Sequence, residues 1–283
     1  MLKSNHATLF ALESSVEQAT TVMFGAPYDG TTSFRPGARF GPAAMRSESF
    51  GLESYSPYQD KDLYDYEICD AGDLELPFGG PEQALALIEE QAEALFAAGK
   101  RPLMLGGEHL VTLAPVRAAL RRYPDLCIVH FDAHTDLRED YLGQPLSHAT
   151  VMRRCHDLLG DRRMFQFGIR SGLREEFDWA REHTSLHKYN FDGLEQALET
   201  IGGRPVYFTI DLDVLDPSVF PGTGTPEAGG VTFPQLLAAV EQVCKCKVIG
   251  CDLVELSPNY DHSGMSTAVA CKILRELLLA LEK

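Results

Sequence analysis

Short apolar segments alternate with amphipathic segments along most of the chain. The apolar segments predict strands over residues 20–27, 101–107, 125–131, 164–170, 205–214 and 246–256. The amphipathic segments, in which apolar residues recur at three- and four-residue spacing, predict helices over residues 81–100, 114–123, 175–183, 233–244 and 267–283. This alternation of strand and helix predicts an α/β fold with a mainly parallel sheet covered on both faces.

No internal repeat and no linker rich in Pro, Gly or Ser divides the 283 residues, so we expect one domain over residues 1–283. Hydrophobic residues make up 45% of the chain, which is enough for one large core. No apolar run has the length of a signal peptide or a membrane span. The seven cysteines are odd in number and lie mostly in apolar contexts, which indicates reduced thiols. Together these features predict a cytoplasmic protein without a membrane partner.

The formal net charge is −16, and no cluster of Lys and Arg interrupts the acidic composition. Nucleic-acid binding is therefore not expected, because contacts to phosphates require clustered basic residues. An acidic surface favours a cationic substrate, although many acidic proteins bind none.

Polar side chains follow four of the predicted strands at the point where each strand ends. GGEH at 106–109 follows the strand residues 101–105, DAHTD at 132–136 follows the strand at 125–131, and Asp211 with Asp213 closes a third strand. Glu255 lies at the end of the fourth. In open α/β sheets, ligands bind beyond the carboxyl ends of the strands. We therefore expect these groups to converge on one edge of the sheet.

The aspartates and histidines at these strand ends supply four carboxylates and two imidazoles. Side chains two residues apart on extended backbone face the same way, which would bring each Asp and His group together. This donor set suits Mn²⁺ better than metals that prefer thiolates, and it is large enough for two ions that share bridging carboxylates. Each residue alone is explained equally well as a strand-end cap, but three adjacent ionisable groups after a buried strand need charged partners. The candidate metal ligands are His109, Asp132, His134, Asp136, Asp211 and Asp213.

Three separated segments together resemble the ureohydrolases, the family of arginases and agmatinases. The segments are GGEH, DAHTD, and TIDLDVLDPSVFPGTGTPEAGG followed by VELSPNYDHSG. The resemblance runs from FGAPYDGTTSFRPGARFGPAAMR at 24–46 to the last helix. Glu108 is a small departure, since many relatives have Asp there. The resemblance implies a three-layer α/β/α domain around a central, mostly parallel sheet of eight strands.

The resemblance also implies two Mn²⁺ ions per subunit. The ligands implied for one ion are His109, Asp132, Asp136 and Asp211, and those for the other are Asp132, His134, Asp211 and Asp213. Asp132 and Asp211 are then expected to bridge the two ions. The implied reaction is hydrolysis of a guanidine by a hydroxide that bridges the metals, since bound metal lowers the pKa of water.

Three residues are expected to serve this reaction by resemblance. Glu255 would hold the guanidinium through charge-assisted hydrogen bonds, and Asp136 would accept the hydroxide proton. His148 would deliver a proton to the leaving amine or restore the hydroxide. Without the resemblance, His148 is explained as a solvated loop residue and Glu255 as a strand-end charge. Glu227 is a possible substrate contact, although its glycine-rich loop needs no such role.

The segment LREDYLGQPLSHAT at 137–150 is most similar to bacterial agmatinases. It implies hydrolysis of agmatine to putrescine and urea, a reaction of polyamine biosynthesis, in a homotrimer or homohexamer. The acidic loop RED at 138–140 favours a cation over a zwitterion. The alternatives are a guanidinobutyrase or another guanidine hydrolase, and less so an arginase. A deacetylase with one zinc ion and a metal-binding paralogue without activity are more distant alternatives.

Three further features are not predicted to bind metal. CKCKVIGC at 244–251 lacks the spacing of a zinc ribbon. His183 and His187 have the spacing of a helical metal pair, but no nearby set of carboxylates supports one, so we interpret them as surface residues. His156 is interpreted as structural.

Overall fold

The computed structural model describes residues 8–282. Its strands are β1 (Thr21–Ala26), β2 (Tyr55–Ser56), β3 (Lys61–Asp62), β4 (Ile68–Asp73), β5 (Arg101–Gly106), β6 (Cys127–Phe131), β7 (Met164–Ile169), β8 (Ser185–Lys188), β9 (Pro205–Asp211) and β10 (Lys247–Val254). Its helices are α1 (Gly41–Glu48), α2 (Pro81–Ala97), α3 (Leu113–Arg122), α4 (Val151–Leu159), α5 (Arg174–His183), α6 (Leu194–Ile201), α7 (Phe233–Val243) and α8 (Met265–Leu281).

Eight of the strands form one sheet in the order β4-β1-β5-β10-β9-β6-β7-β8, and the neighbouring strands pair in parallel. β2 and β3 form a separate antiparallel pair. The predicted α/β fold with an eight-stranded parallel sheet is therefore confirmed. Strands β5, β10, β9 and β6, whose ends carry the candidate site residues, are neighbours at the centre of this sheet.

Two hydrophobic layers cover the sheet because its strands alternate their side chains. Met23 and Val129 pack in the layer that contains α1, α6, α7 and α8. Val22, Phe24 and Ile128 point to the opposite layer, which contains α2, α3, α4 and α5. Each fully buried side chain of this size contributes about 1.5–3 kcal/mol to folding. This burial on both faces fixes the strand register and therefore the positions of the strand ends.

Local sequence signals, a proline and a glycine, determine where helix α2 begins and ends. Pro81 occupies its first turn, where no backbone N–H partner is needed. Gly99 adopts a φ of 73°, and the N–H groups of Gly99 and Lys100 donate to the carbonyls of Phe96 and Leu95, each at 3.0 Å. This capping ends the helix at Ala97, three residues before the predicted end, and turns the chain into β5.

Seven of these elements were not predicted from the sequence: β2, β3, β4, β8, α1, α4 and α6. β4 and β8 are the two edge strands, and edge strands are short and polar because one side lacks a partner strand. β8 has four residues, too few for a clear alternation. The last predicted residue of the final helix, Lys283, lies outside the described residues, and the single domain over 1–283 stays a prediction. Within residues 8–282, no helix combines the length and apolar character needed to span a membrane.

Candidate metal centre

Four central strand ends bring the predicted ligands together. His109 begins a short turn after β5, and Asp132 directly follows β6. Asp211 is the last residue of β9, and Glu255 follows β10. Because these strands are neighbours and parallel, the four ends lie side by side. The convergence expected from the sequence is present.

His109 faces three of the predicted ligands. Its Nδ1 lies 3.0 Å from Asp132 Oδ2, 3.1 Å from Asp136 Oδ2 and 3.4 Å from Asp211 Oδ2. Donors that share an ion at about 2.1 Å lie about 3 Å apart, which matches this spacing. These four residues are the set that the sequence assigned to one ion.

His134 faces a second set on the other side of Asp132. Its Nδ1 lies 3.1 Å from Asp213 Oδ2 and 3.4 Å from Asp132 Oδ1. Asp132 therefore directs one carboxylate oxygen toward His109 and the other toward His134, as a bridging carboxylate would. Asp211 directs Oδ2 toward His109, while its Oδ1 accepts a hydrogen bond from the Asp213 backbone N–H at 2.8 Å.

The local backbone differs from the extended alternation expected for these residues. Asp136 has a φ of 53°, in the left-handed region, and this turn is what points its carboxylate at His109. Asp213 lies in a one-turn 3-10 helix, Leu212–Val214, instead of on a strand. The predicted ligands do meet, but irregular turns after the strands place two of them.

The charges of this cluster do not balance within the protein. Burial, followed by repulsion from Asp213 and Asp132, raises the pKa of Asp211 well above its usual range. Burial and Asp132 likewise raise the pKa of Asp136 to about 7. Burial opposes a charge on His109, yet the neighbouring carboxylates raise its pKa well above 6.5. Burial comes first in both carboxylate shifts, and together the three shifts indicate that the buried carboxylates lack sufficient positive charge nearby.

The orientation of the His109 ring indicates that the cluster is suited to bind cations. Thr209 Oγ1 donates to Asp252 Oδ1 at 2.6 Å, so it accepts from His109 Nε2, 2.9 Å away, and the proton lies on Nε2. Nδ1 is then the ring nitrogen that is buried facing the carboxylate oxygens, and it makes no hydrogen bond in the described chain. An imidazole nitrogen surrounded by carboxylates is a metal-binding arrangement, and the donors suit Mn²⁺.

A second layer of polar residues, not predicted from the sequence, orients the cluster. His130 Nε2 lies 2.7 Å from Asp132 Oδ2, and its Nδ1 accepts from Gln166 Nε2 at 3.1 Å. Thr209 and Asp252 hold His109 from below. Each of these is a buried polar residue inside a strand, and the presence of His130 in the apolar run CIVHF was the available signal.

Arg170 is another residue that the sequence reasoning missed. Its guanidinium donates to the backbone carbonyls of Asp213 at 2.7 Å, Val214 at 3.1 Å and Glu227 at 2.9 Å. The side chain therefore joins the loop that carries Asp213 to the loop that carries Glu227. Nothing in the local sequence around Arg170 indicated this connection.

A cavity of about 390 Å³ opens above the cluster. Glu255, His148 and Glu227 line it together with four candidate metal ligands, His109, His134, Asp136 and Asp211. Glu255 accepts a hydrogen bond from the His109 backbone N–H at 2.8 Å, and burial followed by the nearby Glu108 raises its pKa well above the usual range. All three candidate catalytic residues, and Glu227, therefore line one cavity.

His148 is held at the wall of this cavity by the segment around Thr31. Its backbone N–H donates to Thr31 Oγ1 at 3.1 Å, and Thr31 Oγ1 in turn donates to Glu108 Oε1 at 2.7 Å. Burial lowers the pKa of His148 to about 4, so the ring is neutral near pH 7. Its Nδ1 is buried without a hydrogen-bond partner in the described chain.

The three sequence features that were not predicted to bind metal make other contacts in the structure. His156 Nε2 and His183 Nδ1 lie 3.0 and 2.7 Å from Asp161 Oδ1, so this carboxylate connects α4 to α5. His187 lies on strand β8 and not on a helix, and it stacks on Phe167. Burial raises the pKa of Cys244 to about 12, which opposes thiolate ligation.

Comparisons with known proteins agree on one family. The model described as the arginase family matches residues 19–280. The agmatinase of Bacillus subtilis is 50% identical over 272 residues, which cover 94% of this chain and 93% of that protein. The agmatinase of Bacillus anthracis is 51% identical over 274 residues, covering 95% and 94%. The crystal structure of agmatine ureohydrolase of Thermoplasma volcanium has a TM-score of 0.90 and 34% identity, covering 99% and 96%. With matches of this extent, the chain belongs to the arginase family.

Proposed function

We propose that this protein hydrolyses agmatine to putrescine and urea. The observation that carries the proposal is the pair of histidine–carboxylate clusters that share Asp132 at the base of the cavity. The agmatinases that are about half identical to this chain support the choice of substrate. This reaction would place the protein in polyamine biosynthesis.

Two Mn²⁺ ions are the cofactor proposed for the clusters. One ion would be held by His109, Asp132, Asp136 and Asp211, and the other by Asp132, His134, Asp211 and Asp213. When bound, such ions supply a hydroxide nucleophile at neutral pH by lowering the pKa of coordinated water. The protein contributes fixed donors and a second layer that sets their orientation.

Glu255 is proposed to bind the substrate guanidinium. Its backbone N–H donates to Gly107 O at 2.8 Å, and its Oε1 accepts from His109 N–H, so the carboxylate is fixed beside the cluster. The guanidinium would supply the charge that a buried carboxylate needs, and two parallel hydrogen bonds would orient its plane. The same contact sets the guanidine carbon against the metal-facing side of the cavity.

Asp136 and His148 are proposed to handle protons. The Asp136 carboxylate faces the cluster and would accept the proton released as the nucleophile adds. His148 lines the cavity with a neutral ring near pH 7, and it would carry a proton to the leaving amine.

Replacing His148 with asparagine tests the proton role. Asparagine keeps the backbone N–H that binds Thr31 but cannot carry a proton. We expect kcat to fall by roughly 10²–10⁴-fold, with KM and metal content little changed. Steady-state kinetics and metal analysis check this, and an unchanged kcat would show that His148 moves no proton in the slow step.

The proposed substrate is tested by urea release from agmatine, arginine and 4-guanidinobutyrate, each with added Mn²⁺. We expect agmatine to have the highest kcat/KM. A preference for 4-guanidinobutyrate would instead identify a guanidinobutyrase, and two bound metal ions without turnover of any guanidine would identify a metal-binding protein without activity.

Cytoplasmic location and a homotrimeric or homohexameric assembly complete the proposal. The buried thiols of Cys127, Cys155 and Cys271 support a reducing compartment. Light scattering of the purified protein measures the assembly state.

A further inference from the structure

We propose that Glu227 binds the ammonium group at the far end of the substrate and thereby selects a dication. This inference rests on the proposed function and assigns a residue to the part of the substrate that does not react. The first observation that supports this inference is the set of charged side chains on the cavity wall. Outside the candidate metal ligands, the charged side chains lining the cavity are Arg138, Glu176, Glu227 and Glu255.

Two of these four charged side chains, Glu176 and Arg138, interact with each other, and Glu176 also accepts hydrogen bonds from neighbouring residues. Glu176 is buried, and it accepts hydrogen bonds from Thr135 Oγ1 at 2.6 Å, Leu137 N at 3.0 Å and Leu173 N at 2.6 Å. Its Oε2 also lies 3.8 Å from Arg138 Nε. The acceptors of Glu176 are therefore committed, and the charge of Arg138 is balanced. Two carboxylates, Glu255 and Glu227, remain for a ligand.

The carboxylate of Glu227 is held in place with one oxygen available. Ser171 Oγ donates to Glu227 Oε1 at 2.9 Å, and Arg170 donates to the Glu227 backbone carbonyl from Nη2 at 2.9 Å and Nε at 3.2 Å. Within residues 8–282, Oε2 accepts no hydrogen bond. A fixed carboxylate with an open oxygen binds an ammonium group without first losing side-chain freedom.

The loop from Gly224 to Glu227 limits how far apart the two carboxylates can lie. A Cβ placed on Gly224 would lie 3.8 Å from Glu255 Oε2, so this loop begins beside the guanidinium position. Thr225 Oγ1 then donates to Asp213 Oδ2 at 3.3 Å, which keeps the loop along the cavity wall. Three further residues span at most about 10 Å. This range accommodates a guanidinium and an ammonium separated by four methylene groups.

The same arrangement disfavours a substrate that ends in a carboxylate. 4-Guanidinobutyrate would direct its negative charge at Glu227, in a cavity with no unbalanced cation on its wall. Butylguanidine would lose the ammonium contact without meeting repulsion. Glu227 therefore discriminates by charge at the end of the substrate, whereas Glu255 and the metal ligands act on the guanidine common to all three compounds.

The test compares Glu227→Gln with wild type on agmatine and on butylguanidine. We expect the variant to lose roughly 10- to 100-fold in kcat/KM for agmatine, mainly through a higher KM, since a charge-assisted hydrogen bond far from the reacting carbon is lost. For butylguanidine the change should stay within about threefold. If butylguanidine turns over too slowly, its inhibition constant against agmatine provides the comparison.

Two further variants separate charge recognition from structure. Ser171→Ala should give a smaller loss confined to agmatine, because the carboxylate stays charged but is no longer fixed. Glu175→Gln removes an exposed carboxylate on α5 and should leave both compounds unaffected. Metal content is measured for each variant.

Equal losses on agmatine and butylguanidine in Glu227→Gln, with or without loss of metal, would overturn the inference and leave a structural role. No change on agmatine would overturn it as well. Failure of the proposed function is a separate result, because it would be seen in wild type as poor hydrolysis of agmatine. In Glu227→Gln, improved use of 4-guanidinobutyrate relative to agmatine would support the inference.

Discussion

Replacing His109 with alanine should lower urea release by at least about 10³-fold, since the metal ions supply several kcal/mol of transition-state stabilisation. His109 Nδ1 is the donor toward which Asp132, Asp136 and Asp211 converge. Without it, three buried carboxylates remain with one ligand fewer, and the affinity for one ion should fall sharply. Metal-to-protein ratio after dialysis, measured by mass spectrometry, should drop from two toward one.

His262→Ala is the matched control, because this imidazole is exposed. Both variants should keep the far-ultraviolet circular dichroism of wild type, which separates metal loss from unfolding. Normal metal content together with normal activity in His109→Ala would rule out the proposed two-metal site.

Replacing Glu255 with glutamine should lower kcat/KM by roughly 10²–10³-fold, as expected when one partner of a buried charge pair is removed. Glutamine keeps the shape of the side chain and can still accept the His109 N–H, but it brings no charge to the guanidinium. Two metal ions should remain bound, since Glu255 lies beside the cluster and is not among its donors. Kinetics with agmatine and metal analysis of the same preparation measure both quantities.

Glu255→Asp keeps the charge and shortens the side chain, so its activity should lie between those of wild type and Glu255→Gln. Kinetics in Glu255→Gln that match wild type would remove the residue from substrate binding. A loss of metal in the same variant would show that Glu255 supports the ligands instead.

The fold was predictable where burial is complete. The strands β5, β6, β9 and β10 are buried on both faces, so each is a continuous apolar run that can be located without a partner. The edge strands β4 and β8 are half exposed and lack that signal. The order of the strands in the sheet could not be predicted from local sequence. β10 lies between β5 and β9, and no feature of its sequence indicates these neighbours.

The candidate site was predictable where its residues follow strands. Asp132, His134 and Asp211 are conspicuous because charged groups directly follow or end apolar runs. Thr209, Gln166 and Arg170 were not, because each acts through partners distant in sequence. Thr209 meets His109 across 100 residues, and Arg170 meets Glu227 across 57. The sequence was thus enough to predict the metal ligands and their chemistry. The residues that orient these ligands were identified only in the structure.

Asp136 and Glu255 share a backbone feature with consequences for how this chain can change. Both adopt left-handed conformations, with φ of 53° and 67°, which cost a residue other than glycine about 1 kcal/mol each. Glycine at either position would relieve that cost and remove a carboxylate that the proposed reaction needs. Selection for thermal stability alone would therefore favour substitutions at these two positions that lower activity. In a thermostable variant obtained without a screen for turnover, we expect lost activity to result from changes at these positions.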